Sequence, residues 1–372
     1  MIYLDYTANT PVDPEVVRRF TETEIAYIGN PNANHAAGRE AAKALEEVTA
    51  SIADMLGVLP EEIIFTSGAS ESNNLAIKGS ARALRHQGKH IITTALEHAS
   101  VGGPFTYLQE QGYEIDLVDI TREGRIDTEH LQELLRKDTV LVSVSAVDSE
   151  LGTLQPIEEI AEIVKKFSGC RLHVDATQAM GKVPFSCSVA DTVSFAAHKF
   201  YGLNGSGILV KKKGLVLTPL IHGGVSNSLY RSGTPTLALA SAMEEALRIA
   251  LSKEGARLAR VQDLSQQLRE GLASYKKVTI NSPQNAIPHI INLSVGGVKG
   301  QAFQRALDEK GVCVSVKSAC SVENTPSKAV YAVSRNRKQA LSSWRISLSH
   351  LTTEEELAQF MDIFDEIYKE LT

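Results

Sequence analysis

The sequence predicts an α/β protein: a large unit on a mostly parallel, seven-stranded sheet covered by helices on both faces, with a smaller α+β unit beside it. Three observations predict this. Short β-rich runs alternate with longer helical patterns through the first two-thirds of the chain, as they do when helices form the crossovers of a parallel sheet. A long stretch almost free of helix breakers follows, and beyond it the pattern starts afresh. The 372 residues, 43% hydrophobic and 22% charged, suit two cores better than one.

The strands expected in the first unit fall at residues 63–66, 90–93, 114–118, 140–145, 171–175, 192–195 and 207–210. Amphipathic helical stretches lie at 38–56, 71–87 and 157–167. From 235 to about 275 the pattern reads as one helix bridging to the second unit. That unit holds a strand at 290–294, a helix at 301–310, short strands near 312–315 and 344–348, and a last helix from Glu354. The stretch 318–342 is rich in Ser, Asn, Lys and Arg and weak in periodicity, so part of it reads as a mobile loop.

Composition excludes several classes. With 38 Lys and Arg against 44 Asp and Glu, the net charge is −6 and no basic run marks a nucleic-acid surface. The N-terminus Met1-Ile2-Tyr3-Leu4-Asp5 lacks the basic start and apolar core of a secretory leader. No apolar run approaches the roughly 20 residues that span a bilayer. Cys170, Cys187, Cys313 and Cys320 form no CxxC pair, which points away from zinc or a disulfide framework and toward a reducing cytoplasm.

The chemistry concentrates at expected strand ends. Lys199, in Ala196-Ala197-His198-Lys199, follows one strand, and Asp175 closes another. Ligands of parallel sheets sit at such carboxyl ends. A lysine amine forms an imine with an aldehyde cofactor, and a carboxylate keeps a pyridine nitrogen protonated so that the ring stays an electron sink. Thr66-Ser67-Gly68-Ala69-Ser70-Glu71-Ser72-Asn73 leaves a strand, turns through small residues and enters a helix, a setting that binds phosphate. By itself that segment reads equally as an N-cap with a capping-box glutamate. His98 follows a further strand, where it can stack on a cofactor ring and transfer protons.

With these residues in view, the sequence resembles the NifS/IscS-like cysteine desulfurases, class V of the fold-type I pyridoxal-phosphate enzymes. The likeness runs from Tyr3-Leu4-Asp5-Tyr6 to Leu351-Thr352-Thr353-Glu354-Glu355-Glu356. Its landmarks include Gly29-Asn30-Pro31 with His35, Thr66–Asn74, Glu97-His98 and Gly152-Thr153-Leu154-Gln155-Pro156-Ile157. Further on come His173-Val174-Asp175-Ala176-Thr177-Gln178-Ala179, His198-Lys199, Arg231-Ser232-Gly233-Thr234 and Ser318-Ala319-Cys320. The resemblance implies a large pyridoxal-phosphate-binding domain over residues 14–250. A small domain over 1–13 and 251–372 carries the cysteine loop.

It also implies roles. Lys199 carries pyridoxal 5'-phosphate, Asp175 pairs with its ring nitrogen, His98 stacks on the ring, and Gln178 and Ser149 stand near its phenolic oxygen. Ala69, Ser70 and His198 hold the phosphate, with Thr234 reaching in from a second subunit of a homodimer. Arg345 takes the substrate carboxylate, a task suited to its bidentate fork, and Asn30 and Asn34 join it on the substrate side. Cys320 is the nucleophile that leaves as a persulfide, while Cys313, between valines, reads as structural. The implied activity converts L-cysteine to L-alanine and hands sulfur to an iron–sulfur scaffold or a tRNA-thiolation enzyme. A selenocysteine lyase, another class V lyase or aminotransferase, and a diverged sulfur-delivery protein are the alternatives.

The chain departs from the family pattern at defined places. Asp148-Ser149-Glu150 stands where the family has Asn-Asn-Glu, and Ala196-Ala197-His198-Lys199 where it has Ser-Gly-His-Lys. Leu203-Asn204 replaces Pro-Lys, Val316-Lys317 replaces Ser-Gly ahead of Ser318, and Ser349 replaces a glycine after Arg345. The chain closes soon after its last helix, so a docking tail beyond it is expected to be short or missing.

Overall fold

The computed structural model describes residues 1–224, 228–317 and 325–372. The chain opens with strand β1 (Ile2–Tyr3) and helix α1 (Pro14–Ala26), which starts where Asp13 accepts from Glu15 N and where Pro14 needs no partner for a missing N–H. Helix α2 (Ala36–Leu56) begins at His35, whose Nδ1 accepts from Gly38 N at 3.2 Å, and stops at Gly57, φ 66°. Strands and helices then alternate: β2 (Ile63–Thr66), α3 (Ala69–Ala83), β3 (His90–Thr93), α4 (Ala99–Glu110), β4 (Glu114–Leu117), α5 (Thr128–Leu134), β5 (Thr139–Ser145), α6 (Ile157–Val164), β6 (Arg171–Asp175), β7 (Thr192–Ala196) and β8 (Gly207–Lys211).

These strands form one seven-stranded sheet in the order β2-β8-β7-β6-β5-β3-β4. Only β8 is reversed, pairing antiparallel with both β2 and β7. The sequence reading of a mostly parallel sheet is therefore the observed one. Central β5, Thr-Val-Leu-Val-Ser-Val-Ser, is buried at all seven positions, as a strand covered on both faces must be. Edge strand β4 is exposed at both ends.

Beyond the sheet runs α7 (Leu237–Ala273), then β9 (Val278–Ile280), β10 (Ile290–Val295), α8 (Gly300–Glu309), β11 (Val312–Cys313), α9 (Lys328–Ser334), α10 (Arg337–Leu341), β12 (Ser343–Ser347) and α11 (Glu354–Leu371). A three-stranded antiparallel sheet orders β12-β10-β9, and β11 pairs parallel with β1. The long helix serves two cores. Its first half, Leu237 to Ala250, packs with α1 and α2 in the core of the large unit, whereas Val261, Leu264, Leu268 and Leu272 join a second cluster around Trp344, Phe303, Phe360 and Phe364. Ile2 and Leu4 belong to that second cluster as well.

Two local expectations changed. Within 318–342 the structure places two short helices, α9 and α10, because Ser327 Oγ accepts from Val330 N and Asn336 Oδ1 accepts from Lys338 and Gln339 N–H groups. Capping, not periodicity, starts these helices. Residues 318–324 of that stretch, Cys320 among them, lie outside the described residues. Cys313 is half-buried rather than sealed in a core, since β11 is two residues long at an edge. Among the described residues no helix is long and apolar enough to cross a membrane.

Candidate active site

Strands β2, β3, β5, β6 and β7 run the same way, so their carboxyl ends share one edge of the sheet. β6 ends on Asp175, and β7 passes into a single turn, Ala197–Lys199. The chain leaving β3 reaches His98, which caps α4, and the chain leaving β2 enters α3. Four separated segments thus deliver their polar residues to one place.

Lys199 Nζ donates to Thr7 O at 2.9 Å and Ala8 O at 2.7 Å. Gln178 Nε2 donates to the same Thr7 O at 3.1 Å, and its Oε1 accepts from Lys182 Nζ at 2.5 Å. Burial, reinforced by the charges of Lys199 and Arg345, holds the Lys182 ammonium well below the usual lysine range. Asp175 is buried; its Oδ1 accepts from Thr177 N at 2.9 Å and its Oδ2 from Asn73 Nδ2 at 2.8 Å. The Thr177 hydroxyl beside it is buried without a protein partner. Burial lowers the His98 pKa; the charge of Asp175 opposes that shift and the charge of Lys199 adds to it. His198 is pulled down to about 4 by burial and by the charges of Lys199 and Lys182.

The start of α3 has the form of a turn that could hold an anion. Its N-cap Gly68 has φ 148° and offers no side-chain cap to the first N–H groups of the helix. Glu71 folds back over the turn ahead of the helix, accepting from Ser67 N at 2.7 Å and pairing with Arg231 Nε at 3.1 Å, which offsets its charge. Ala69 and Ser70 therefore present backbone donors at the positive end of a fifteen-residue helix. Gly207 on β8 backs this turn so closely that a Cβ there would sit 2.6 Å from Gly68 Cα.

On the other side, Arg345 of β12 is buried. Its Nη1 donates to Ser149 O at 2.7 Å, its Nη2 to Asp5 Oδ1 at 2.9 Å, and its Nε has no protein partner. The departure Asp148-Ser149-Glu150 lies here. Asp148 Oδ2 accepts from the N–H groups of Glu150 and Leu151, whereas Oδ1 is buried and unpartnered. Burial, with the nearby charge of Glu150, pushes the Asp148 carboxyl up to about 7. Glu150 is raised by burial too, against the Ser327 hydrogen bond and the charges of Arg345 and Lys317.

Lys199, Asp175, Gln178, His98 and His198 thus come together, with the α3 turn at one end and Arg345 and Ser149 linked at the other. Thr234 is exposed on this single chain. Asn30 and Asn34 are exposed ahead of α2 and make local hydrogen bonds, Asn30 Oδ1 with Asn32 N at 2.9 Å and Asn34 O with Arg39 Nη1. Sequence reasoning named Asn73 only within the phosphate turn and Asp5 only as a landmark, and assigned no part to Ser100, Lys182 or Thr7. Lys182 was detectable in principle, four residues beyond Gln178, while Asn73 reads as one polar residue among several on a helix.

The chain also matches known proteins along nearly all of its length. The aminotransferase class-V family matches residues 2–360. A NifS/IcsS protein homolog of Lactobacillus delbrueckii subsp. bulgaricus is 39% identical over 99% of this chain and 97% of its own length. Cysteine desulfurase IscS of Dictyoglomus turgidum is 39% identical over 100% of this chain and 95% of its own. Among solved structures, a NifS-like protein superposes with a TM-score of 0.93 at 34% identity, covering 100% of both chains. Matched along nearly its whole length in sequence and in fold, the chain belongs to the class-V aminotransferase family.

Proposed function

We propose that the chain is a cysteine desulfurase, which uses pyridoxal phosphate held at Lys199 to convert L-cysteine to L-alanine and leaves the sulfur on Cys320. The observation that carries this reading is the meeting of Lys199, Asp175, Gln178 and His98 at one sheet edge, in a chain whose full-length relatives include a protein named cysteine desulfurase.

The residues present suit the cofactor. The uncapped start of α3 suits a phosphate, and the Asp175 carboxylate suits a protonated ring nitrogen. Gln178 Nε2 uses one hydrogen on Thr7 O and keeps the other for a phenolic oxygen. When bound, the cofactor supplies an electron sink for the pair released at the substrate α-carbon.

The chain's own residues do the rest. Arg345, braced by Asp5 and Ser149 O, binds the substrate carboxylate. Lys199 moves the proton at the α-carbon. The Cys320 sulfur attacks the substrate sulfur: an S–S bond forms, the C–S bond breaks, and its electron pair with a proton completes the methyl group of alanine. The persulfide then passes to an acceptor of iron–sulfur assembly or tRNA thiolation in the cytoplasm. Cys320 lies outside the described residues, and its role is proposed from its place in the family pattern. The exposed Thr234 suits a residue that completes the phosphate site of a second subunit. A division into residues 14–250 and residues 1–13 with 251–372 fits a helix that serves both cores.

The test is to supply cofactor-loaded protein with L-cysteine and a reductant and to measure alanine and sulfide, expected in equal amounts. Lys199→Ala is expected to lose the visible absorption of the bound cofactor. Cys320→Ala is expected to keep that absorption and lose sulfide release; undiminished turnover would sink the persulfide step. Turnover of L-selenocysteine alone would replace the reading with a selenocysteine lyase.

A further inference from the structure

We infer that His98 is held as a neutral imidazole with its one proton on Nε2, and that Asn73 and Ser100 are the positioning residues that hold it there. The argument starts at Asp175. A carboxylate only accepts, so the Asn73 atom 2.8 Å from Asp175 Oδ2 is the amide nitrogen and not the oxygen. That choice turns Asn73 Oδ1 toward His173 Nε2, 3.1 Å away, and toward the Ser194 hydroxyl, both of which donate to it. His173 then carries its proton on Nε2, and its Nδ1 accepts from Thr192 Oγ1 at 2.9 Å. Asn73 is completely buried, and all of its amide valences are used within this cluster.

The second Nδ2 hydrogen of Asn73 goes to Ser100 Oγ at 2.9 Å. With its oxygen accepting from the amide, Ser100 directs its own proton to His98 Nδ1 at 2.8 Å. The same Nδ1 accepts from Ser100 N at 3.1 Å, because His98 is the N-cap of α4. A backbone N–H cannot reverse its role, so two donors converge on the Nδ1 lone pair and exclude a proton from that atom. The neighbouring charges are Asp175, which favours the cation, and Lys199, which opposes it; burial opposes it as well.

The consequence rests on the proposed cofactor site. His98 offers that site an N–H donor at Nε2 and no free lone pair, so it orients an acceptor without removing a proton. Proton removal is left to Lys199. Asn73 thereby ties two functions together: the amide that holds the ring-nitrogen carboxylate also aims, through the Ser100 hydroxyl, a second donor at Nδ1 of the stacking histidine.

The test reads the imidazole directly. Protein labelled with 15N in histidine, both cofactor-free and cofactor-loaded, is compared with His98→Gln to assign the ring by long-range 15N–1H correlation. The expected pattern at pH 7 is protonated Nε2 and bare Nδ1 in both forms, with a titration midpoint below the ordinary value near 6.5. A proton on Nδ1, or a cationic ring at pH 7, overturns the inference. Ser100→Ala removes the hydroxyl donor and leaves the backbone donor, so the tautomer should persist while the midpoint rises by about one pH unit. An unchanged midpoint refutes the part given to Ser100. Asn73→Asp keeps the shape but presents an acceptor to Ser100, which should turn its hydroxyl away and raise the midpoint similarly. If that variant fails to fold, by circular dichroism, Ser100→Ala alone decides the matter. Failure of the cofactor to bind would sink the proposed function and leave the cofactor-free measurement standing.

Discussion

Asp148→Asn separates the cost of a buried charge from the rest of the site. Asp148 is 1% exposed, one of its oxygens has no partner, and its carboxyl is pushed up to about 7. An unfolded aspartate titrates near 3.9. Between about pH 4 and pH 7 the folded chain therefore binds the additional proton, and its stability falls as pH rises through that window. Each pH unit is worth about 1.4 kcal/mol, so the two units from pH 5 to 7 cost the native protein about 3 kcal/mol. The asparagine keeps an acceptor for the N–H groups of Glu150 and Leu151 and never ionises. Its amide leaves a donor where Oδ1 stood, at a penalty of about 1–3 kcal/mol that does not vary with pH. Chemical denaturation of both proteins at pH 5 and pH 8 is the assay. The stability of Asp148→Asn relative to the native chain should increase by about 3 kcal/mol between the two pH values. A difference that is flat with pH would show that Asp148 is ionised throughout and that its neighbours satisfy the charge.

Two further outcomes follow from single contacts. Gly207→Ala forces a methyl group to within 2.6 Å of the Gly68 backbone; it should destabilise the fold by about 1–3 kcal/mol in denaturant titrations and weaken cofactor binding more than tenfold when apoprotein is titrated. Lys182→Met removes the donor that holds Gln178 Oε1, so the absorption maximum of the bound cofactor should shift. Because burial depresses the Lys182 pKa, the native protein gains stability as pH rises toward the unfolded lysine value near 10.4, a gain absent from the variant.

Much of the sheet was readable because its strands are short buried apolar runs bounded by turns. Residues 63–66, 90–93 and 171–175 are strands at the expected bounds, since β-branched and apolar side chains there have nowhere else to go. Helix α4 was missed: Ala-Ser-Val-Gly-Gly-Pro-Phe carries two glycines and Pro104 in its first half, and the helix forms through the His98 cap and the burial of Val101, Phe105 and Leu108. Lys199 and Asp175 were legible because they stand at a strand end or just beyond one, and Gln178 only through the family pattern that Asp175-Ala176-Thr177-Gln178 matches. Asn73 was not, because nothing in Ser-Asn-Asn-Leu says which asparagine faces inward. Only the packing of α3 against β6 and β7 turns it toward Asp175, His173 and Ser194.

The N-terminal segment explains why the site needs both cores. Ile2 and Leu4 pack in the second core, and β1 is paired with β11. Asp5 bridges to Ser347 and holds Arg345. Two and three residues on, the carbonyls of Thr7 and Ala8 hold Lys199, and Thr10 donates to the carbonyl of His198 through both its N–H and its hydroxyl. The same ten-residue stretch thus touches the proposed carboxylate-binding arginine and the proposed cofactor lysine. Neither group is positioned by its own core alone: Arg345 answers to a segment pinned at Lys199, and Lys199 to a segment pinned at β12. A displacement of the second core relative to the large sheet must therefore move Arg345 and the Lys199 carbonyl partners together. Arg345 and Lys199 would then keep their spacing while the rest of the cleft adjusts.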